Sequence, residues 1–271
     1  MKIIQVKKAS GDFEPFSEIK VRQSLKRAGA KPKVIDQILV QLTGQLHDNI
    51  TTREIYAHVF DLLNQHQSGM GYRYSLKAAM MQLGPSGFPF EKFVARLFDQ
   101  LGYQTKVSNI VSGRCINYEI DIIITKDNRQ DLVECKFHNR QGIKTRSKDA
   151  LCLQAKFEDI GSAYQQAWLV TNTKLTTNAI KYGLCKGLKL LAWNYPKDNG
   201  LETLIEKFNL HPITSFTFLD HQDQQRLFEN NLVVGSDLQV LKESQLIDLG
   251  LSSDKIKKIQ EFLSLPNHNS S

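Results

Sequence analysis

The sequence predicts an α/β protein of three units: a small, mostly helical domain with a β-hairpin over 1–84, a mixed-sheet α/β core over 85–200, and a small α-helical module over 201–271. Three observations predict it. A short hairpin signal is followed by apolar residues at helical spacing up to residue 83. Strand and helix patterns then alternate between residues 88 and 193, which indicates a sheet with some parallel pairing. From Leu201 onward the pattern is helical.

The elements follow in order. Residues 2–8 and 12–16 read as two short strands around Ser10-Gly11. A helix from Ser17 to Ala28 stops at Gly29. A second runs from Lys33 to about His47, with Val34, Ile35, Ile38, Leu39 and Leu42 on one face. TTRE (51–54) has the capping-box form, so Thr51 or Thr52 opens a third helix with Ile55, Val59, Leu62 and Leu63 inward. A fourth covers about Tyr72 to Leu83. Gly84-Pro85-Ser86-Gly87 breaks the pattern and marks a boundary. PFEKFVARLFDQLGY is then an amphipathic helix. Strands are expected at 103–108, 117–125 and 131–138, a helix at 148–158, and a buried strand in AWLVTN (167–172). TTNAIKYGLCKG reads as a helix ending at Gly187, and LKLLAW as a strand.

The chain has 271 residues and 41% apolar content, enough for more than one core. No window is apolar over the roughly 18 residues that span a membrane, and MKIIQVKKAS lacks the apolar segment of a signal peptide. Cys115, Cys135, Cys152 and Cys185 show no CxxC spacing and read as reduced thiols of a cytoplasmic protein. Net charge is +7, distributed as +5 over 1–84, +6 over 85–200 and −4 over 201–271. A basic front and middle suit a polyanion such as nucleic acid or nucleotide phosphate; an ordinary solvated surface is the plainer reading.

DLVECKFHNR (131–140) carries the chemistry. Alternation puts Leu132, Glu134, Lys136 and His138 on one face of a strand, and Val133, Cys135 and Phe137 on the other. In YEIDIIIT, Glu119, Asp121 and Ile123 share one face and Ile120, Ile122 and Ile124 the other. Asp121 lies 13 residues before Glu134, the spacing of adjacent strands joined by the turn KDNRQ. Two carboxylates so placed can share one Mg²⁺, which keeps waters for chemistry. The metal lowers the pKa of a bound water, and a lysine beside it positions that water or stabilises charge. A surface ion pair on an edge strand is the alternative for Glu134 and Lys136, worth under about 1 kcal/mol. His138 reads either as a phosphate contact or as a polar strand end. HNRQGIKTRSK follows, and Arg140, Lys144, Arg146 and Lys148 suit a DNA backbone or simply a solvated loop.

This stretch resembles the Mrr-like restriction endonuclease domain of the PD-(D/E)xK nuclease superfamily. The matching residues are Glu91 in GFPFEKFVARLFDQLGY, Asp121 in EIDIII, and Glu134 and Lys136 in VECKFH, within roughly residues 85–195. The resemblance implies that Asp121 and Glu134 hold the metal, that Lys136 activates water, and that Glu91 supports the metal from the helix. Many such domains carry a glutamine in the helix after the lysine strand, a place Gln154 fills here.

The N-terminal unit has no GxxxxGK[ST] loop, and Gly69-Met70-Gly71 lacks the third glycine of a dinucleotide fingerprint. Lys7 and Lys8, with Lys20 and Arg22 on the following helix, can converge on phosphates. VKKASGDFEPFSEIKVRQSLKRAG, NITTREIY and GYRYSLKAA together resemble the ATP-cone domain. That resemblance implies a regulatory site for ATP or dATP formed by Lys7, Lys8, Glu14, Phe16, Lys20 and Thr52. One departure is that both Ala9 and Ser10 stand between the basic pair and Gly11, where the family has one residue.

The C-terminal segment resembles a helix-hairpin-helix or related module, with Leu249-Gly250-Leu251 as its turn and Lys255, Lys257 and Lys258 beside it; a protein-interaction role is equally open. The expectation is a nucleotide-regulated, Mg²⁺-dependent DNA endonuclease of the type IV restriction kind, acting as a homo-oligomer without a membrane. A non-cutting, ATP- or dATP-responsive DNA-binding regulator and an RNA-directed nuclease are the other readings.

Overall fold

The computed structural model describes residues 4–8, 11–66, 71, 74–84, 86–140 and 142–264. Strand β1 (Gln5–Lys7) pairs antiparallel with β2 (Phe13–Pro15) and parallel with β3 (Ile50–Thr51). Helix α1 (Glu18–Arg27) is capped by Ser17, and α2 (Pro32–Thr43) opens with Pro32, whose missing N–H costs nothing there. For α3 (Thr52–His66) the capping residue is Thr51. Its amide donates to Glu54 Oε2 at 2.7 Å, and its Oγ1 accepts from the Glu54 amide at 3.1 Å. Val6, Leu25, Ile38, Leu42, Ile50, Val59 and Leu63 close a core of their own. Of the helix expected over 72–83, α4 (Leu76–Met81) is seen, and Tyr72 lies outside the described residues.

α4 does not pack into that first core. Leu76, Met80 and Leu83 join the core built by α5 (Phe88–Gln100), in which Phe90, Phe93 and Phe98 are fully buried. Burying each of these rings contributes about 1.5–3 kcal/mol. Helix α5 ends at Gly102, whose φ of 82° lets the Tyr103 amide turn back to Phe98 O at 3.0 Å.

The central sheet has five strands in the order β10-β8-β6-β5-β4. β4 (Gln104–Ser112), β5 (Asn117–Lys126) and β6 (Arg129–Lys136) form an antiparallel meander. β8 (Gln166–Thr171) and β10 (Lys189–Leu191) extend it in parallel from β6. α5 covers one face through Ile122, Ile124, Val133 and Cys135. α6 (Ser147–Ile160) and α7 (Thr177–Cys185) cover the other through Ala150, Leu153, Leu169 and Ala179. Two short strands, β7 (Lys144–Thr145) and β9 (Lys174–Leu175), pair beside the sheet.

α8 (Leu201–Phe208) packs on the α5 side. Beyond it, α9 (His221–Glu229), α10 (Gly235–Gln239), α11 (Glu243–Asp248) and α12 (Ser253–Leu263) surround a separate core of Phe216, Leu227, Leu238 and Ile259. This module is tied back by Arg96 to Asp237 at 2.9 Å and by Thr214 Oγ1 to Ala79 O at 2.7 Å. Among the described residues no helix is long and apolar enough to cross a membrane.

Candidate active site

β6 is the middle strand of five, covered on both faces, and Glu134 on it is only 6% exposed. The edge-strand reading of Glu134 and Lys136 therefore does not hold. A buried carboxylate in the centre of a sheet requires partners. It has two: Lys136 Nζ lies 2.7 Å from Oε1, and Lys156 Nζ lies 2.9 Å from Oε2.

The sheet opens where the carboxylates sit. The β5·β6 ladder stops at Ile122↔Val133, one step before Asp121 and Glu134 would face each other. The β4·β5 ladder skips the pair Ser108 and Asp121, and Ser108 has φ 55°. The Cys135 amide, left without a strand partner there, donates to Asp121 Oδ2 at 2.6 Å. Strict alternation fails at this point. Ile120 packs with Leu132 and Ile160 on the α6 side, whereas Ile122 and Ile124 pack against α5. The expected grouping of Ile120 with Ile122 and Ile124 is corrected accordingly.

Glu91 enters from the first turn of α5. Burial, followed by the charges of Asp121, Glu119 and Glu134, pushes its carboxyl up to about 7. Burial and then the Glu134 charge push Asp121 up to about 6, against the pull of the Cys135 amide and of Lys136 and Lys156. Burial works against the Lys136 ammonium, but its bond to Glu134 and the neighbouring carboxylates outweigh this and hold its pKa above the usual value. The site is a crowd of partly desolvated acids with two lysines among them. Among the described residues no group of three or more His, Cys, Asp or Glu side chains is set up to hold a metal ion. Asp121, pushed up by burial and the Glu134 charge, is nonetheless a hard oxygen donor whose strain a divalent cation would relieve, and the Glu134 carboxylate beside it offers a second hard oxygen, so the two fit Mg²⁺ chemically.

Gln154, one of the residues expected at the site, bonds instead to Glu158 on the next turn, Nε2 to Oε1 at 2.8 Å. Lys156 is what α6 contributes to Glu134. Its signal in the sequence was only a lysine flanking an apolar stripe, which most helices have. Behind Lys136, Thr171 Oγ1 donates to the Lys136 carbonyl at 2.7 Å and accepts from Thr145 Oγ1 at 2.8 Å. Asn172 holds both main-chain groups of His138, accepting from its N–H at 2.9 Å and donating to its C=O at 2.8 Å. The His138 ring meets Thr145 Oγ1 at 3.0 Å, and burial lowers its pKa. Arg140, Lys144, Arg146 and Lys148 are exposed on the segment that leaves β6 and opens α6, where Gly142 turns with φ 85°.

In the first domain, Lys8 and Lys20 converge on Glu14 Oε2 at 2.7 and 2.9 Å, and these bonds, Lys8 first, lower the Glu14 pKa. Thr52 Oγ1 reaches the Lys7 carbonyl at 3.4 Å. Phe16 packs against the core of that domain. In the C-terminal module, Lys255 is taken up by Asp220 and the buried Asp223, and Lys258 by Asp254.

Family models match three stretches: the ATP cone domain over 4–69, the Mrr restriction endonuclease catalytic domain over 84–194, and the AF1548-like C-terminal domain over 211–264. An uncharacterized protein of Archaeoglobus fulgidus is 36% identical over 167 residues, spanning 61% of this chain and 95% of that protein.

The chain belongs to the AF1548 family.

The crystal structure of AF1548, a protein of unknown function, superposes with a TM-score of 0.58 at 36% identity, covering 66% of this chain and 97% of AF1548. This member of the AF1548 family also carries an N-terminal ATP cone ahead of its restriction-endonuclease-like α/β domain.

Proposed function

We propose that the protein is a divalent-metal-dependent DNA endonuclease whose activity is set by ATP or dATP bound to the cone. One observation supports the reading: Asp121 and Glu134 lie where the β5·β6 ladder ends, Lys136 is 2.7 Å from Glu134, and Glu91 on α5 feels the charge of both acids. Asp121 and Glu134 would hold the metal, Mg²⁺ by donor chemistry. The ion would supply a bound water of lowered pKa and neutralise phosphate charge.

The chain's own residues do the rest. Lys136 is an ammonium beside Glu134, so it orients water and stabilises negative charge on phosphate and does not take a proton. Glu91, near 7, is suited to exchange a proton at neutral pH. The Cys135 amide fixes Asp121, and Thr171 and Asn172 fix the strand end that carries Lys136. Arg140, Lys144, Arg146 and Lys148 grip the DNA backbone on the way into the site. In the cone, Lys7, Lys8 and Lys20 take nucleotide phosphates, with Glu14, Phe16 and Thr52 around the rest of the ligand. A pair of chains would present two sites to the two DNA strands.

A non-cutting regulator draws support from one feature, the occupation of both Glu134 oxygens by lysines. Supercoiled plasmid, plain and methylated, incubated with Mg²⁺ across an ATP and dATP titration, separates the two. Metal-dependent nicking that changes with nucleotide supports the nuclease; DNA binding without nicking in every condition supports the regulator.

A further inference from the structure

Lys156 is the site residue whose presence the nuclease reading does not explain. One ammonium suffices to neutralise Glu134, and Lys136 already supplies it at 2.7 Å. Lys156 adds a second at 2.9 Å on the other oxygen. Among the described residues its other hydrogen bond, to the Glu119 carbonyl at 3.4 Å, is at the limit of such a bond. Glu134 is thus what holds it, and its side chain is still 27% exposed.

The charges of the cluster give the second ammonium a purpose. Asp121 and Glu134 stand with Lys136 and Lys156, and a divalent cation on the two carboxylates adds positive charge that an anionic phosphodiester can balance. The same cation occupies the carboxylate that Lys156 was using, and an ammonium left unpaired in a half-buried site seeks another anion.

Resting on the nuclease reading above, we propose that Lys156 is a metal-gated phosphate contact, parked on Glu134 in the metal-free protein and passed to the nucleic-acid backbone when a divalent cation takes that carboxylate. A structural strut between α6 and β6 is the competing role. A strut would affect stability with or without metal, and would not alter the response of DNA affinity to metal.

The test uses the full-length protein and a fluorescein-labelled DNA duplex, with anisotropy read across a salt series in EDTA and in Ca²⁺. In EDTA, wild type and Lys156→Met should bind alike. In Ca²⁺ the wild type should gain about tenfold or more in affinity. Lys156→Met should keep only the smaller part of that gain that the cation's own charge supplies, with a log K against log salt slope in Ca²⁺ shallower by about 0.9. Lys156→Arg should restore both. Equal Ca²⁺ responses in wild type and Lys156→Met, an equal loss in EDTA and Ca²⁺, or no Ca²⁺ response in the wild type would each overturn the proposal. Melting curves of all three proteins, with Lys156→Gln as a second variant, guard against misfolding. Plasmid nicking by the wild type in Mg²⁺ is scored alongside. Its absence sinks the nuclease reading, whereas nicking with an unchanged Ca²⁺ response in Lys156→Met sinks this one alone.

Discussion

The main-chain amide of Cys135 donates to Asp121 Oδ2 at 2.6 Å, at the step where β5 and β6 cease to pair. A side chain replaces a strand-to-strand bond, and this is how the sheet opens without stranding a buried N–H. Asp121 therefore serves the fold here, and in the proposed site it would serve the metal as well.

The amide carbonyl of an asparagine can still accept that bond, so Asp121→Asn should keep the fold while removing the charge. We expect a melting temperature within a few degrees of wild type and nicking lowered about 10²-fold or more, given the several kcal/mol a metal supplies. Time courses of plasmid relaxation check the second part, and a wild-type rate would contradict it.

Glu91 at about 7 and Asp121 at about 6 stand above their usual values of 4.5 and 3.8. The folded protein then binds more protons than the unfolded chain across this window. Their contribution to stability is present at low pH and lost as pH rises from about 4 to 7. Metal on these acids cancels the loss. Saturating Mg²⁺ should raise the melting temperature more at about pH 8 than at about pH 5. In the metal-free protein, Glu91→Gln should narrow the difference between the two pH values. Calorimetry with and without Mg²⁺ gives both readings, and a larger Mg²⁺ effect at the lower pH would refute the assignment.

How much of this was legible beforehand depended on how local each signal is. The helix carrying Glu91, the strands carrying Asp121, Glu134 and Lys136, and the Thr51–Glu54 cap lie in short patterns and were found where expected. The grouping of Ile120 failed because a period of two assumes an unbroken ladder, and Ser108 breaks it. Lys156 carries no distinctive sequence signal, and Gln154 rests on family resemblance, because helix rotation is not written locally. The two differ by about 200° around the axis, and tertiary packing decides which reaches Glu134. That α4 joins the second core was likewise invisible, since its apolar stripe fits either.

Asn172 has no exposed surface and clamps His138 by both its N–H and its C=O. Asn172→Ala leaves both groups without their partner, at a cost of about 2–4 kcal/mol. The loop bearing Arg140 and Lys144 should loosen with it. Urea denaturation should show the lost stability and hydrogen exchange the earlier opening of residues 137–145. A variant as stable as wild type would show the clamp to be idle.

In the cone, Lys20 and Lys8 meet at Glu14, and in the proposed nucleotide site these two ammoniums would take phosphates. Lys20→Ala should weaken ATP and dATP about tenfold each, because a phosphate contact ignores the sugar. Isothermal titration measures both ligands. Unchanged affinity for the pair would remove Lys20 from the nucleotide site.

The central claim is that Glu134 and Lys136 act on a phosphodiester, and single-turnover cleavage of labelled duplex DNA by wild type and Lys136→Ala, with duplex affinity measured in Ca²⁺ on the same samples, tests it most directly. The account predicts Mg²⁺-dependent cleavage by the wild type, a loss of about 10³-fold in the variant, and affinities within a few-fold of each other. Cleavage at the same rate by both proteins, or none by the wild type at any Mg²⁺ or ATP concentration, would contradict it.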